Sequence, residues 1–131
     1  MATTLNAGFV YSSEDDDVVI VGFADKEYET EHYVLLQRSK QVSAEEEALG
    51  QGEVHISTDD PSRASYGGIE SVLLGASEVM IRLEQGTARL LGVDEEIAIR
   101  FDCEAVDVAR LRDGLRLLFG RSGVLSEAPL H

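Results

Sequence analysis

The feature that most constrains the fold is a change in the spacing of apolar residues near residue 105. Before it, short apolar segments separated by turn residues have the alternation or the β-branched runs of strands. After it, Val108, Leu111, Leu115 and Leu118 recur every three or four residues, as in the apolar stripe of an amphipathic helix. The pattern predicts an α+β fold, in which one C-terminal helix packs on a face of a mainly antiparallel sheet.

Six or seven strands are expected in this sheet. They are predicted within residues 8–11, 17–24, 32–38, 53–57, 69–74, 78–84 and 96–103. The second of these segments is so continuously apolar that we expect a central strand covered on both faces. Residues 32–38 are expected beside it, and residues 69–74 and 78–84 are expected to form an antiparallel hairpin.

The remaining segments are predicted from capping and turn residues. Ser43 and Glu46 have the spacing of a capping box, which indicates one or two helical turns that Gly50 can end. Residues 87–91 are predicted to form another helical turn, and residues 105–119 the long helix. Turn formers are so concentrated in residues 58–68 that this segment is predicted to be the longest loop.

We expect a single domain over residues 1–121, since this length suffices for one hydrophobic core. Residues 122–131 have little periodicity and are predicted to form a mobile tail unless Val124, Leu125 and Leu130 dock.

The charge balance restricts the choice of partner. The chain has 25 acidic and 11 basic residues, for a formal net charge of −14. Residues 1–60 hold 14 acidic and 3 basic residues, a net of −11, whereas residues 61–131 hold 11 and 8, a net of −3. Such a field repels nucleic acid and anionic membranes and attracts basic surfaces. Neither nucleic acid nor membrane is therefore expected as a partner.

No pattern of residues predicts catalysis or metal binding. His32 and His55 lie on different predicted strands and in no ligand-spaced motif, so we expect structural histidines and no metal. Cys103 shares the apolar face of its predicted strand, where burial keeps a thiol protonated and unreactive. No nucleophile elbow, phosphate-binding loop or dinucleotide motif occurs, so no catalytic residue and no cofactor is predicted.

The expected location is cytoplasmic. The chain begins with neither the positive flank nor the apolar run of a secretory signal, and its longest apolar run is well below the ~20 residues of a membrane span. Its single cysteine allows no internal disulfide.

Several segments resemble the immunity protein 10 family of bacterial polymorphic toxin systems. They are residues 18–25 (VVIVGFAD), 33–38 (YVLLQR), 66–69 (YGGI) and 97–101 (IAIRF), followed by 111–120. The 33–38 and 66–69 segments are the most distinctive, and the order and spacing of all of them carry the resemblance over about residues 9–120. The resemblance implies a cytoplasmic, non-catalytic protein that binds a cognate toxin domain, which the charge of this chain suggests is basic.

The resemblance supplies no binding residues, so charge and turn content indicate them. The predicted partner-binding residues are Glu14, Asp15, Asp16, Asp17, Asp25, Glu27, Glu29, Glu31, Asp59, Asp60 and Tyr66. Two alternative functions remain open at this point. One is a structural or adaptor domain that self-associates, for example as a homodimer, and the other is a small-ligand-binding protein with a pocket near Tyr33 or His55.

Overall fold

A computed structural model describes residues 2–14, 18–26, 28–39, 54–102, 104, 106–119 and 124–127. In this part of the chain, ten strands and two helices form the fold. The first strands are β1 Thr3–Asn6, β2 Phe9–Glu14, β3 Val18–Ala24, β4 Tyr33–Ser39, β5 His55–Thr58 and β6 Asp60–Tyr66. The remaining elements are β7 Ile69–Leu74, β8 Glu78–Leu83, α1 Gln85–Leu91, β9 Glu96–Arg100, α2 Val108–Phe119 and β10 Leu125–Glu127.

The strands form two five-stranded sheets, so the expectation of one sheet with six or seven strands is wrong, although the α+β class is correct. Sheet A has the order β1-β9-β8-β7-β10, and sheet B has the order β2-β3-β4-β5-β6. Every pairing in sheet B is antiparallel, whereas β1 with β9 and β10 with β7 are parallel. Both β1 and β10 were missed, because three or four residues are too few for an apolar pattern.

The two sheets and α2 share one hydrophobic core. Alternate residues of the central strands are buried, among them Val21 and Phe23 in sheet B and Ile81 and Ile99 in sheet A. The predicted helical stripe faces this core, since Leu111, Leu115 and Leu118 are almost completely buried. Helix α2 begins at Val108 rather than at residue 105. We call the side of sheet B that contacts α2 its inner face.

The burial of strand β3 differs from the prediction. Its residues alternate between buried and half-buried, so the strand that was expected to be covered on both faces is fully covered only on the inner face. The run looked continuous because the outward residues Val18 and Ile20 are apolar as well. Sheet B therefore has a second apolar face that neither described helix covers.

The predicted long loop at residues 58–68 instead contains β6, an edge strand of sheet B. Its turn-forming residues mark the ends of the strand rather than a loop. Asp59 has a φ of 58° between β5 and β6, and Gly67 and Gly68 have φ of 75° and 80° where the chain crosses from sheet B to sheet A. Pro61 is compatible with β6 because an edge strand tolerates the missing donor.

Part of the predicted tail is paired. Strand β10 adds to the edge of sheet A, and Val124 and Leu125 pack against the core. Arg116 of α2 donates two hydrogen bonds of 3.0 Å to the Glu127 carboxylate, and this contact raises the pKa of the guanidinium. The predicted helix near residues 43–50 and Cys103 lie outside the described residues.

Gly114 explains how closely α2 approaches sheet B. A Cβ atom at this position would lie 2.5 Å from the Ser12 hydroxyl oxygen and 2.8 Å from a methyl carbon of the fully buried Val21. Overpacking of this kind costs about 1–3 kcal/mol, whereas alanine in place of glycine recovers at most about 1 kcal/mol of helix propensity. We therefore expect Gly114→Ala to lower the free energy of unfolding by about 1–2 kcal/mol in urea denaturation.

A matched control lies in α1. Gly86 is helical, and a Cβ atom added to it would meet no described atom within 4 Å, so Gly86→Ala should raise the free energy of unfolding by about 0.4–1 kcal/mol. Stabilisation by Gly114→Ala as well would mean that α2 can move away from β3 without cost.

Candidate functional site

The predicted binding residues come from three parts of the chain, and the structure brings two of these parts together. Seven of the predicted residues are described: Glu14, Asp25, Glu29, Glu31, Asp59, Asp60 and Tyr66. The other four, Asp15, Asp16, Asp17 and Glu27, lie outside the described residues. For these four the assignment stays a prediction.

Five carboxylates meet at one end of sheet B. Strand β3 ends at Ala24, β4 begins at Tyr33, and the link between β5 and β6 is Asp59, so both links lie at the same end of the sheet. This end carries Asp25, Glu29, Glu31, Asp59 and Asp60, which we call the acidic end. The convergence depends on the register that places Val34 opposite Thr58.

Hydrogen bonds hold the two links together. One Asp59 carboxylate oxygen accepts from the Tyr33 amide at 3.0 Å, and the other lies 3.2 Å from Nδ1 of His32. Asp25 accepts from the Glu31 amide at 3.2 Å, which folds the β3–β4 link back on itself. Asp59 suits its position because aspartate tolerates a positive φ and can accept from nearby backbone amides. The positions of these charges are therefore fixed by backbone contacts.

Two of these carboxyl groups have lowered pKa values. For Asp25, burial acts to raise the pKa, but hydrogen bonds from the backbone of His32, Glu31 and Lys26 outweigh it. For Asp60, the backbone amide of Ser62 and then its hydroxyl lower the pKa. Both groups consequently keep their negative charge to more acidic pH than an ordinary aspartate.

Within the described chain, no arginine forms an ion pair with a carboxylate of the acidic end. Elsewhere, Arg82 pairs with Glu70, Arg100 pairs with Glu78, and Arg116 pairs with Glu127. Among the described residues, Asp59 contacts His32, and this contact is an ion pair only when the imidazole is protonated. Lys26 and Arg63 act on Asp25 and Asp60 through their fields rather than through an ion pair. The uneven charge expected from the sequence is thus concentrated further by the fold.

Glu14 and Tyr66 lie toward the opposite end of sheet B. Glu14 pairs with Val19 at the end of β2, and Tyr66 pairs with His55 at the end of β6. The Tyr66 ring meets the His55 ring edge-on, with centroids 4.8 Å apart. These two residues therefore do not join the acidic end, and the predicted site divides into two regions of one sheet.

The two histidines that were considered as metal ligands are also separated. His32 contacts Asp59 at the acidic end, whereas His55 contacts Gln37 and Tyr66. In the described part of the chain, no group of three or more His, Cys, Asp or Glu residues is arranged to hold a metal ion. Neither described helix has the length and apolar character needed to cross a membrane.

Two surface cavities were compared with the requirements of a small-ligand site. A depression of 460 Å³ beside α1 has mostly polar and charged walls that include Arg89, Asp94 and Glu95. A cleft of 180 Å³ lies between β2 and the start of α2. Small-molecule sites are usually enclosed and mainly apolar with a few polar groups, which the first cavity does not match. Neither cavity includes Tyr33 or His55.

Two aspects of the site were missed in the sequence. Counting charges shows that most acidic residues are in the first half of the chain. It does not show which carboxylates form ion pairs with arginine, because these ion pairs join residues that are far apart in the sequence. A partial signal existed in the arginine distribution, since 8 of the 11 basic residues follow residue 60. The separation of Tyr66 from Asp59 was missed because both were assigned to one loop.

Comparison with models of known protein families supports the resemblance. The family model for immunity protein 10 matches residues 4–109, from β1 to the first turn of α2. The match begins before residue 9 and ends before residue 120, so it includes four of the five segments on which the resemblance depended and leaves out residues 111–120. The curated proteins contain no match to this chain.

Proposed function

The chain belongs to the immunity protein 10 family, and from this membership we propose that it neutralises a cognate bacterial toxin domain by direct protein–protein binding. It acts by occupying the toxin and carries out no chemistry of its own. The proposed setting is the bacterial cytoplasm, without cofactor or metal.

The observation that carries the mechanism is the acidic end of sheet B, whose described carboxylates form no ion pair with lysine or arginine. Five carboxylates lie there, and backbone amides hold three of them, those of Asp25, Asp59 and Asp60, while Arg82, Arg100 and Arg116 pair with acids elsewhere. A concentrated negative potential steers a basic partner and selects against acidic ones, and this contribution weakens as salt screens it. A toxin whose substrate groove is built for phosphate would present such a basic surface.

The test uses the toxin domain encoded beside the gene for this chain, purified separately and assayed for its own activity. We expect the two proteins to form a complex in calorimetry and the toxin activity to fall in proportion to added protein, until one equivalent is present. Stoichiometric titration distinguishes binding from chemistry, because an enzyme that modified the toxin would act at a small fraction of an equivalent. Absence of a complex, or inactivation by catalytic amounts, would contradict the proposal.

The two alternatives are less well supported by the described residues. Self-association would bring together two chains that each carry a formal charge of −14, which opposes docking. Ligand binding lacks a suitable site near Tyr33 or His55 in either cavity. Light scattering of the protein alone addresses the first alternative, and thermal unfolding in the presence of candidate ligands addresses the second.

A further inference from the structure

The surface of sheet B opposite α2, which we call the outer face, carries mostly apolar and aromatic side chains, together with uncharged polar ones such as Gln37 and Ser57. Strand register places alternate residues of β2 to β6 on it, because paired residues lie on the same side of a sheet. Its large side chains are Phe9, Tyr11, Ile20, Tyr33, Leu35 and Tyr66. Both described helices contact sheet B through inner-face residues such as Val21 and Thr58, so neither covers this surface.

The composition of the outer face differs from that of the chain. Charged residues make up 27% of the sequence, but strands β2 to β5 place no Asp, Glu, Lys or Arg on the outer face. Three of the four tyrosines of the chain are there, namely Tyr11, Tyr33 and Tyr66. Aromatic enrichment with depletion of charge is the compositional signature of the centre of a protein interface.

The aromatic residues are accessible and partly organised. Tyr11 is 47% exposed and Tyr66 is 61% exposed, whereas Ile20 and Leu35 between them are half-buried. The rings of Phe9 and Tyr11 stack with centroids 6.4 Å apart, and Tyr66 is held against His55. Such pairs restrict the rings before a partner arrives, and tyrosine loses little conformational entropy when it is buried.

The outer face is continuous with the acidic end. Tyr33 belongs to the outer face, and its own amide donates to Asp59 of the acidic end at 3.0 Å. The outer face thus has an apolar centre with negative charge along one border, and this arrangement determines which kind of partner surface is complementary to it. The complementary surface is apolar or aromatic where it meets the tyrosines, with Lys or Arg side chains where it meets the carboxylates.

We infer that the outer face of sheet B is the surface that contacts the toxin domain, with Tyr11 and Tyr66 as its main contact residues and the acidic end as its charged border. This inference rests on the proposed function and specifies where the partner docks. A second copy of the chain fits less well, because the same docking would place two strongly acidic molecules in contact. The partner is therefore a basic protein surface with apolar side chains at its centre.

The test compares exposed aromatic residues on the outer face with equally exposed apolar residues elsewhere. Tyr11→Ala and Tyr66→Ala remove outer-face contacts, and Leu117→Ala on α2 and Leu90→Ala on α1, exposed by 47% and 64%, are the matched controls. The dissociation constant for the purified toxin domain is measured for each variant, together with its thermal midpoint. We expect each tyrosine variant to bind about tenfold more weakly or worse, whereas each leucine variant binds within about twofold of wild type.

The outcomes separate this inference from the proposed function. If wild type binds the toxin but both tyrosine variants bind equally well, the outer face is not the docking surface, while toxin neutralisation stands. If the wild-type complex does not form at all, both proposals are overturned. If wild type is a dimer in light scattering and the tyrosine variants are monomers, the outer face binds a second copy and the inference is wrong about its occupant.

Discussion

Replacement of Gly68 by alanine is expected to remove a large part of the stability of the fold. Gly68 has a φ of 80°, which costs an alanine about 1–2 kcal/mol. A Cβ atom there would also overlap the side chain of Thr87, which is buried in α1. Overpacking adds about 1–3 kcal/mol, so Gly68→Ala should cost about 2–5 kcal/mol in total, a large part of the roughly 5–15 kcal/mol typical of a domain. Thermal unfolding and urea denaturation measure this directly.

Gly92 allows the two contributions to be separated. It has a φ of 69° at the end of α1, but the nearest atoms to a Cβ there belong to the Arg63 side chain, at 3.4–3.5 Å. Gly92→Ala should therefore cost little more than the backbone contribution of about 1–2 kcal/mol. Adding Thr87→Ala to Gly68→Ala should recover part of the loss by removing the overlapping atoms. Equal costs for Gly68→Ala and Gly92→Ala would contradict the steric explanation.

The importance of Gly68 follows from its place in the topology. The chain crosses from sheet B to sheet A at Gly67 and Gly68, and the Gly68 carbonyl accepts from the amide of Glu84, just before α1. The Tyr-Gly-Gly-Ile segment was a distinctive part of the family resemblance, and its glycines have a structural reason. A glycine pair is required where the backbone turns between the sheets and passes directly over α1.

Local patterns in the sequence predicted most of the central elements. The β3–β4 and β7–β8 hairpins, strand β9 and the buried stripe of α2 were all expected from apolar spacing. Edge strands were predicted poorly, because a strand that is paired on one side and open on the other needs no apolar alternation. The short β1 and β10 and the turn-rich β6 are all edge strands of their sheets.

The division into two sheets and the candidate site depend on pairings that no local pattern contains. Parallel pairing of β1 with β9 joins residues more than 90 positions apart. Likewise, Asp59 reaches Tyr33 only through the register of β4 with β5. One signal was ambiguous: the uninterrupted apolar run in β3 predicts burial on both faces, although one of its faces is the half-buried outer face of sheet B.

The acidic end and the outer face have different physical roles in the proposed complex. Apolar and aromatic contacts at an interface mainly set the dissociation rate, since they must be broken when partners separate. Charges at the border mainly set the association rate, because they act over several ångströms before contact. The two surfaces can therefore be tested by different kinetic constants in the same binding experiment.

Charge reversal at the acidic end is expected to slow association with the toxin domain about 100-fold at low salt. Glu29→Lys combined with Glu31→Lys is the test variant, because both side chains are exposed and their carboxylates hold no backbone contact in the described structure. Glu84→Lys combined with Glu95→Lys makes the same change in net charge at exposed positions outside the acidic end.

Surface plasmon resonance at several salt concentrations should distinguish the two double variants. The association rate of the Glu29/Glu31 variant should fall much further than that of the Glu84/Glu95 variant, and the gap should narrow as salt approaches about 1 M, where the Debye length is only about 3 Å. Dissociation rates and thermal midpoints should change little, because border charges are solvated. If the association rate constant fell by the same factor in both double variants, total charge rather than the position of the carboxylates would govern recognition. The acidic end would then have no special role.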